Sequence, residues 1–406
     1  MVDGLVRSHA SVFSGTYLNG KEAVPALEAL RDITVPQPGP TVTNPAWSTA
    51  DAALRRRWDD EVWSIFDGIF TSAALGVRKP SLRFYRHVLR ATRAVPRRTF
   101  FVDDRPENVL AAISLGMRGT FDTSALYRTL TNVVGDPVTR GLAFLRLQKG
   151  HFPTTTQHNE TINENYAPLL ILEASLVNLK APPRLWNFFS GEPKYTSDSY
   201  PDDLDTTSLG FLTIPPDSEI VHSVLDEMHD YVDEDGIPQA YFDKSRPRVD
   251  AVIALNVLTL FHKYGRGHEL PHTAEWMTSI LLNRAYVKGT RYYANAEWFL
   301  YYMTRLLRAS SDQTLKERIE SPLRERVAER IGAPGDAFCL GMRLLACNYL
   351  GLENHPDRQT LADLQQEGGG WEASCIYFFP GAKRDVGNRG VSTAFAVKAL
   401  EDWSGW

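Results

Sequence analysis

In the first third of the chain, short apolar runs that end in polar residues alternate with helical stretches. PTVTN at 40–44 and RTFFVDD at 98–104 read as strands, with LRFYRHVLRATRAV at 82–95 as a helix between them. ENVLAAISLGM at 107–117 reads as a second helix, and RGTFDT at 118–123 begins another strand. Strand–helix alternation predicts a parallel sheet with its chemistry at the strands' C-terminal ends. After about residue 135 the alternation stops. The remainder reads as helices at 137–149, 165–178, 218–231, 249–264, 272–284, 294–308, 335–350 and 391–402, separated by loops rich in Gly, Pro and Asp. GDP at 135–137 is the expected boundary, dividing an α/β domain over 1–134 from an all-α domain over 135–406. HFPTTTQHNETINEN at 151–165 is polar and reads as a surface loop. Its NET triplet is formally a glycosylation acceptor, which a cytosolic chain would not use. There is no strict repeat, but an echo of helix pairs joined by Gly-containing turns suits an α/α barrel.

The chain has 406 residues, enough for two domains with a core in each. An apolar content of 43% argues against disorder. The net charge is −5 and no Lys/Arg block reaches five residues, which argues against nucleic acid as a partner. No apolar stretch reaches 18 residues and no secretory leader is evident, so no membrane span is expected. Cys339, Cys347 and Cys375 are odd in number and lack metal-ligand spacing, which fits a reducing, cytoplasmic location without disulfides. The chain carries nine Trp, 16 Tyr and 19 Phe, many of them after residue 180. They suit either plain core or the lining of an apolar cavity.

FVDDRPENVLAAISLGM, preceded by LGVRKPSLRFYRHVL, resembles the haloacid-dehalogenase-like superfamily over roughly residues 40–123. The resemblance implies a Rossmannoid α/β fold. In it Asp103 and Asp104 match a Mg²⁺-binding pair, Lys79 a charge-balancing lysine, and Thr43 a phosphate-binding hydroxyl. Two carboxylates suit Mg²⁺, and a lysine with a hydroxyl suits a phosphoryl group. The family's nucleophile is the first Asp of a DxD at the end of a strand. Here Asp3 has no apolar strand before it, and Asp32 lies in a helical context without a partner Asp. Without a nucleophile no aspartyl-phosphate forms. The domain is therefore expected to be a degenerate platform with a vestigial metal site.

SDSYPDDLDTTSLG occupies 197–210, and its DLDTT at 203–207 resembles the acid motif of class II terpene cyclases in the variant with two threonines. Drimane-type sesquiterpene cyclases carry this variant behind a dehalogenase-like N-terminal domain, so the resemblance covers nearly the whole chain. It implies an α/α-barrel class II terpene cyclase domain of the β type. By family position Asp205 is the proton donor, with Asp203, Thr206 and Thr207 as its tuning partners. Asp202 lies outside the motif and reads as a helix cap. The chemistry is demanding, because protonating an isolated alkene needs a strong acid in a dry pocket. Hydrogen bonds that stabilise the carboxylate left behind raise that acidity. Judged alone, the string also reads as a loop and N-cap with exposed carboxylates. A Mg²⁺ site of the ionising-synthase kind prefers DDxxD and a later NSE-type triad, neither of which matches here. LADLQQEGGGW at 361–371 resembles the Gln/Trp motif that ties helix ends together in triterpene-cyclase-like barrels. GNRGVSTAFAVKAL at 387–400 reads as a closing barrel helix capped by Ser392 or Thr393.

A carbocation needs shielding, and aromatic faces supply ~0.5–2 kcal/mol each without acting as nucleophiles. Trp186, Phe188, Phe189, Tyr292, Tyr293, Trp298 and Tyr377 are the candidates, some of them expected to line the pocket and others the core. A retained diphosphate needs cationic anchors, expected together with Mg²⁺. Candidates are Lys244, Arg246, Arg248, Lys288, Arg291, Lys383, Arg384 and Arg389, with Arg389 favoured at a predicted helix start. DEDG at 233–236 reads as an acidic turn, with a Mg²⁺ site as the alternative. The resemblance implies farnesyl diphosphate as the isoprenyl substrate and drimenyl or albicanyl diphosphate as product, with a separate downstream phosphatase. A homo-oligomer is compatible with the sequence. Three rivals are a bifunctional cyclase-phosphatase releasing drimenol or albicanol, a phosphatase whose barrel only binds ligands, and a non-catalytic interaction protein, which would give DLDTT no role.

Overall fold

The structure is a computed structural model. It describes residues 75–121, 128–129, 131–132, 135–172, 179–197 and 199–401, together with the strand segments 11–14, 41–44 and 68–71. Chain contacts divide it into a unit ending at Asp136 and a unit running from Pro137 to Trp403.

In the first unit, strand β1 (Ser11–Ser14) pairs in parallel with β4 (Thr99–Val102), which pairs in parallel with β5 (Arg118–Thr120). β2 (Thr41–Asn44) pairs in parallel with β3 (Gly68–Thr71). Helix α1 (Leu82–Thr92) buries Phe84, Tyr85, Val88 and Leu89 on one face. That stripe packs with Phe101 of β4 and with Val109 and Ala112 of α2 (Pro106–Ile113). The parallel pairing expected from strand–helix alternation is present. Thr43 lies in β2, and its side chain is outside the described residues, as are Asp3 and Asp32.

The second unit is helical. α4 (Tyr166–Leu172), α5 (Leu204–Thr213), α7 (Ala251–Lys263), α9 (Ala296–Ala309), α11 (Ala337–Tyr349) and α13 (Arg389–Leu400) each pack on the next, and α13 closes back onto α4. Outside this ring, α3 (Pro137–Leu147) covers α13, α8 (Pro271–Leu282) covers α7, α10 (Gln313–Ala328) covers α9 and α11, and α12 (His355–Asp363) covers α11. α6 (Ser218–His229) buries Val221, Val224, Leu225 and Met228 in the main core. The two layers are visible in the residues. α7 is buried along its whole length from Val252 to His262, as an element packed on all sides must be. α10 buries only Leu315, Ile319, Leu323 and Val327, a single stripe at four-residue spacing. Five ring helices open on an Asp or Asn whose side chain accepts a hydrogen bond from a first-turn amide: Asp203, Asp250, Asn295, Asp336 and Asn388.

Several local expectations are corrected. α13 is capped by Asn388, which accepts from the Val391 amide at 3.1 Å. Ser392 and Thr393 sit inside the helix, where their hydroxyls accept from the Ser374 and Trp371 amides at 3.0 Å. The supposed surface loop at 151–165 holds β6 (Thr154–Thr156) and β7 (Thr161–Ile162). They join β8 (Cys375–Phe379) and β9 (Arg384–Asn388) in an antiparallel sheet of order β7-β6-β9-β8. β6 pairs with a strand more than 200 positions away (Thr154↔Asn388), and no local pattern announces such a partner. The Gln/Trp motif behaves as expected. Gln365 donates to the carbonyls of Pro137 and Gly369 at 2.8 and 2.7 Å, and Trp371 Nε1 donates to the Leu361 carbonyl at 2.7 Å, joining the ends of α3 and α12. Among the described residues no helix is long and apolar enough to cross a membrane.

Candidate active site

A cavity of about 430 Å³ lies at the N-terminal ends of α4, α5 and α7, beside the segment that leads into α9. Its wall includes Tyr166, the first residue of α4, Asp205 and Thr206 in the first turn of α5, Ile253 in the first turn of α7, and Tyr292 and Tyr293 before α9.

The DLDTT run builds the polar floor. Asp203 is extended and its Oδ1 accepts from the Thr206 amide at 2.6 Å, which makes it the N-cap of α5. Asp205 is then the second helical residue. Every residue of α5 from Leu204 to Phe211 is buried, so its carboxyl has no route to bulk water except through the cavity. Successive residues turn by about 100°, which sends the two threonines to different faces. Thr206 Oγ1 lines the cavity and has no hydrogen-bond partner among the described residues. Thr207 Oγ1 accepts from the Trp186 amide at 3.0 Å and donates to the Trp186 carbonyl at 3.3 Å. Thr207 is thus not a site residue but a clamp on the loop that carries Trp186.

Both oxygens of Asp205 accept hydrogen bonds. The Tyr293 hydroxyl donates to Oδ2. Asn256 Nδ2 donates to Oδ1 at 2.9 Å and to the Asp205 carbonyl at 3.1 Å. A carbonyl only accepts, so the second contact settles which end of the Asn256 amide faces Asp205. Burial pushes the Asp205 carboxyl up, and the Tyr293 and Asn256 donors pull it back, leaving it at about 6. The N-terminal end of α5 also favours negative charge there. Asp203 differs. Burial holds its carboxyl well above the usual range, and the Thr206 amide only partly offsets this. Its Oδ2 is buried without a hydrogen-bond partner among the described residues. Burial thus raises both carboxyls, and the donors that offset it are more complete on Asp205. Asp203 and Thr206, expected to tune Asp205, make no hydrogen bond to its carboxyl; the side chains that do are Asn256 and Tyr293. Asn256 was not singled out from the sequence. Its one signal was a lone amide inside the apolar run AVIALNVLTLF.

Of the aromatic candidates, Phe188, Tyr292, Tyr293 and Tyr377 line the cavity. Phe188 and Tyr377 meet edge to face with centroids 5.1 Å apart. Trp186, Phe189 and Trp298 belong to the core instead. Trp298 stands behind the wall, its ring 4.6 Å from that of Tyr293. Trp186 packs so closely on α5 that a Cβ at Gly210 would lie 2.3 Å from its Nε1, which explains the glycine.

Arg246, Arg248 and Arg291 line the cavity. Arg246 is engaged by Asp243, Ser197 and the Ser199 carbonyl. Arg248 and Arg291 are exposed and form no ion pair among the described residues. The remaining cationic candidates lie off the cavity wall. Lys244 sits over the Tyr231 ring, Lys288 and Lys383 are absent from the wall, and Arg384 faces Glu160 at 3.7 Å. Arg389 donates to the Trp371 carbonyl at 3.1 Å and lies over Phe144, so it is a structural tie at the start of α13. Asp233 of DEDG accepts from the Asp235 and Ile237 amides, forming a closed turn.

In the first unit, Asp103 is buried just beyond β4. Its Oδ2 accepts from Lys79 Nζ at 2.7 Å, and its Oδ1 from Asn108 Nδ2 and the Arg105 amide at 2.9 and 3.0 Å. Asp104 beside it is exposed. Among the described residues no group of three His, Cys, Asp or Glu side chains converges on a metal site.

A buried carboxyl with both oxygens bonded, facing an aromatic cavity rimmed by arginines, is equipment for delivering a proton to an apolar, anion-bearing molecule. Known proteins agree with that class. Residues 138–264 match the family model described as the sesquiterpene cyclase astC-like C-terminal domain. The chain is 46% identical over 344 residues to the drimenol cyclase drtB of Aspergillus calidoustus, a match covering 83% of this chain and 65% of that protein. The chain thus spans somewhat less than two thirds of that relative's length. A 64-residue stretch, 16% of the chain and 33% of the relative, is 52% identical to the sesquiterpene phosphatase astK of Aspergillus oryzae (strain ATCC 42149 / RIB 40). The type II terpene cyclase MstE from Scytonema aligns over 65% of this chain and 96% of its own, with a TM-score of 0.49 and 11% identity. The resemblance to drimane-type class II sesquiterpene cyclases is borne out by the first two of these matches.

Proposed function

We propose that the chain is a class II sesquiterpene cyclase that converts farnesyl diphosphate to a bicyclic drimane-type diphosphate, drimenyl or albicanyl. Asp205 gives its proton to the terminal alkene, two ring closures follow, and loss of a proton ends the reaction with the diphosphate intact. The observation that carries this reading is the buried Asp205 carboxyl, held at both oxygens by donors that stabilise its conjugate base. The aromatic wall suits a carbocation. The three free cysteines fit a reducing cytosol.

Arg248 and Arg291, with Arg246 behind them, are the proposed diphosphate anchors. Replacing Arg291 or Arg248 with Ala is expected to raise KM about tenfold, the loss of roughly 1.4 kcal/mol from a charge-assisted hydrogen bond, while kcat changes little. Steady-state kinetics with farnesyl diphosphate check this. Mg²⁺ would enter as the counter-ion of the diphosphate. Among the described residues the cavity's carboxyls are Asp203 and Asp205, too few for a protein cage, and both oxygens of Asp205 are engaged by protein donors. No step of the reaction is assigned to the metal.

The acid must be protonated to act. Because the Asp205 carboxyl titrates at about 6, kcat/KM should be highest below that pH and fall as pH rises through it. A profile flat across this range would remove Asp205 from the acid role.

The defining test is incubation of the protein with farnesyl diphosphate and Mg²⁺, followed by mass spectrometry before and after dephosphorylation. A bicyclic alcohol seen only after dephosphorylation is the expected result, and unchanged farnesyl diphosphate overturns the reading. A second reading, direct release of drimenol or albicanol, is favoured by the stretch similar to a sesquiterpene phosphatase and by the likeness to a drimenol cyclase. It predicts the free alcohol without added phosphatase.

A further inference from the structure

Tyr200, Tyr241 and Tyr292 stand together in the cavity wall. The Tyr241 hydroxyl is 3.0 Å from that of Tyr292, and the Tyr200 hydroxyl donates to that of Tyr241 at 3.4 Å, a longer and weaker contact. Tyr241 is buried, whereas Tyr292 is half-buried beside exposed Arg291. The Phe378 amide donates to the Tyr292 carbonyl at 2.9 Å, which ties that residue to β8.

Three phenols carry three protons, and the two contacts among them use two. Tyr200 spends its proton on Tyr241, so the one left over belongs to Tyr241 or Tyr292. Among the described residues no further acceptor lies within hydrogen-bond distance of either hydroxyl. A head-to-tail run from Tyr200 through Tyr241 to Tyr292 makes each hydroxyl a better donor for the bond it accepts. The spare proton then sits on Tyr292, the more open of the pair.

Its acceptor has to come from the occupant of the cavity. A farnesyl chain is hydrocarbon, so the strong acceptors of an isoprenyl diphosphate are its phosphate oxygens. The three tyrosines also accompany the three arginines of the wall. Arg246 donates to the carbonyl of Ser199, next to Tyr200, at 2.8 Å. The amide of Ala240, next to Tyr241, donates to the Arg248 carbonyl at 2.7 Å. The Arg291 guanidinium lies 5.8 Å from the centre of the Tyr292 ring.

We infer that the Tyr292 hydroxyl is a further anchor of the substrate, donating to a phosphate oxygen, and that Tyr241 is the positioning residue that turns this proton outward. The inference deepens, and rests on, the reading of the cavity as an isoprenyl diphosphate site. Neighbouring residues of one segment then serve opposite ends of the substrate, Tyr293 the acid and Tyr292 the anion.

The test is steady-state kinetics of Tyr292→Phe and Tyr241→Phe with farnesyl diphosphate, together with calorimetric titration of each by inorganic diphosphate. A hydrogen bond to a charged group is worth about tenfold in affinity. Tyr292→Phe should raise KM, and the Kd of inorganic diphosphate, by about that factor at an unchanged kcat. Tyr241→Phe should raise both by about threefold, because Tyr292 keeps its proton and loses only the bond that aims it. In the Tyr292→Phe background Tyr241→Phe should add little, since it acts through Tyr292. Melting curves near that of the parent show that only a hydroxyl was removed. A Tyr292→Phe variant that matches the parent in KM and in diphosphate affinity overturns the inference, and so does a loss confined to kcat. The two levels separate on the parent protein. If it leaves farnesyl diphosphate unchanged, the underlying reading falls; if it cyclises and Tyr292→Phe shares its KM, only the inference falls.

Discussion

Asp205→Asn should abolish cyclisation of farnesyl diphosphate while leaving the protein folded. A general acid is commonly worth 10²–10⁴ in rate, and an isolated alkene offers no easier way to start, so the loss is expected at the upper end, about 10⁴-fold or below detection. The change is nearly isosteric. An amide oxygen still accepts from Asn256, and a buried ionisable group is replaced by a neutral one, so the melting temperature should hold or rise. The measurement is product formation by mass spectrometry, with thermal unfolding as the control. Retained turnover would mean that the proton comes from elsewhere. Asp203, another carboxyl of the cavity wall, is then next to be examined, because its Oδ2 is buried without a hydrogen-bond partner among the described residues and burial raises its carboxyl well above the usual range.

The largest effect on stability should come from Arg343→Met, far from the chemistry. Arg343 is 2% exposed and sits between Glu297 at 2% and Asp357 at 1%. Its guanidinium donates to Glu297 Oε1 at 2.7 Å, to Asp357 Oδ2 at 3.1 Å and to the Ala333 carbonyl at 2.7 Å. The cluster joins α9, α11 and α12, and Arg330 and Asn354 complete it. Removing the central cation leaves two carboxylates buried together, each with less compensation. Breaking a buried ion pair in this way costs about 3–5 kcal/mol. At roughly 2–4 °C per kcal/mol for a unit of this size, the melting temperature should drop by about 10 °C. Adding Glu297→Gln should recover part of the loss, since one stranded charge disappears. A drop of only a degree or two would mean that water reaches the cluster.

Much of the architecture could be read along the chain. The helices of the second unit announced themselves by length and apolar content, and Gln365 with Trp371 was recognisable as a tie between helix ends. α10 shows why some were missed. It is polar apart from one stripe of four residues, and a pattern that sparse does not stand out from a solvated loop. α5 was missed for the opposite reason. It begins with DLDTT, a run that by propensity favours caps and turns, and its burial on every face follows from neighbours far along the chain. The plain reading of that run as an N-cap is correct for Asp203, but its carboxylates are not exposed.

By itself, then, the sequence determined the order of an α/β part and a helical part, the acid motif and the broad kind of chemistry, because those depend on residue type and local spacing. Only the tertiary structure decided which groups meet. It turned Thr206 to the cavity and Thr207 away, removed Arg389 and Trp298 from the wall, and brought Asn256 and Tyr293 onto Asp205 from 51 and 88 residues away. Acidity of a carboxyl depends on burial and on which donors reach its oxygens, and both are set by the closing of a helical ring rather than by any neighbour in sequence.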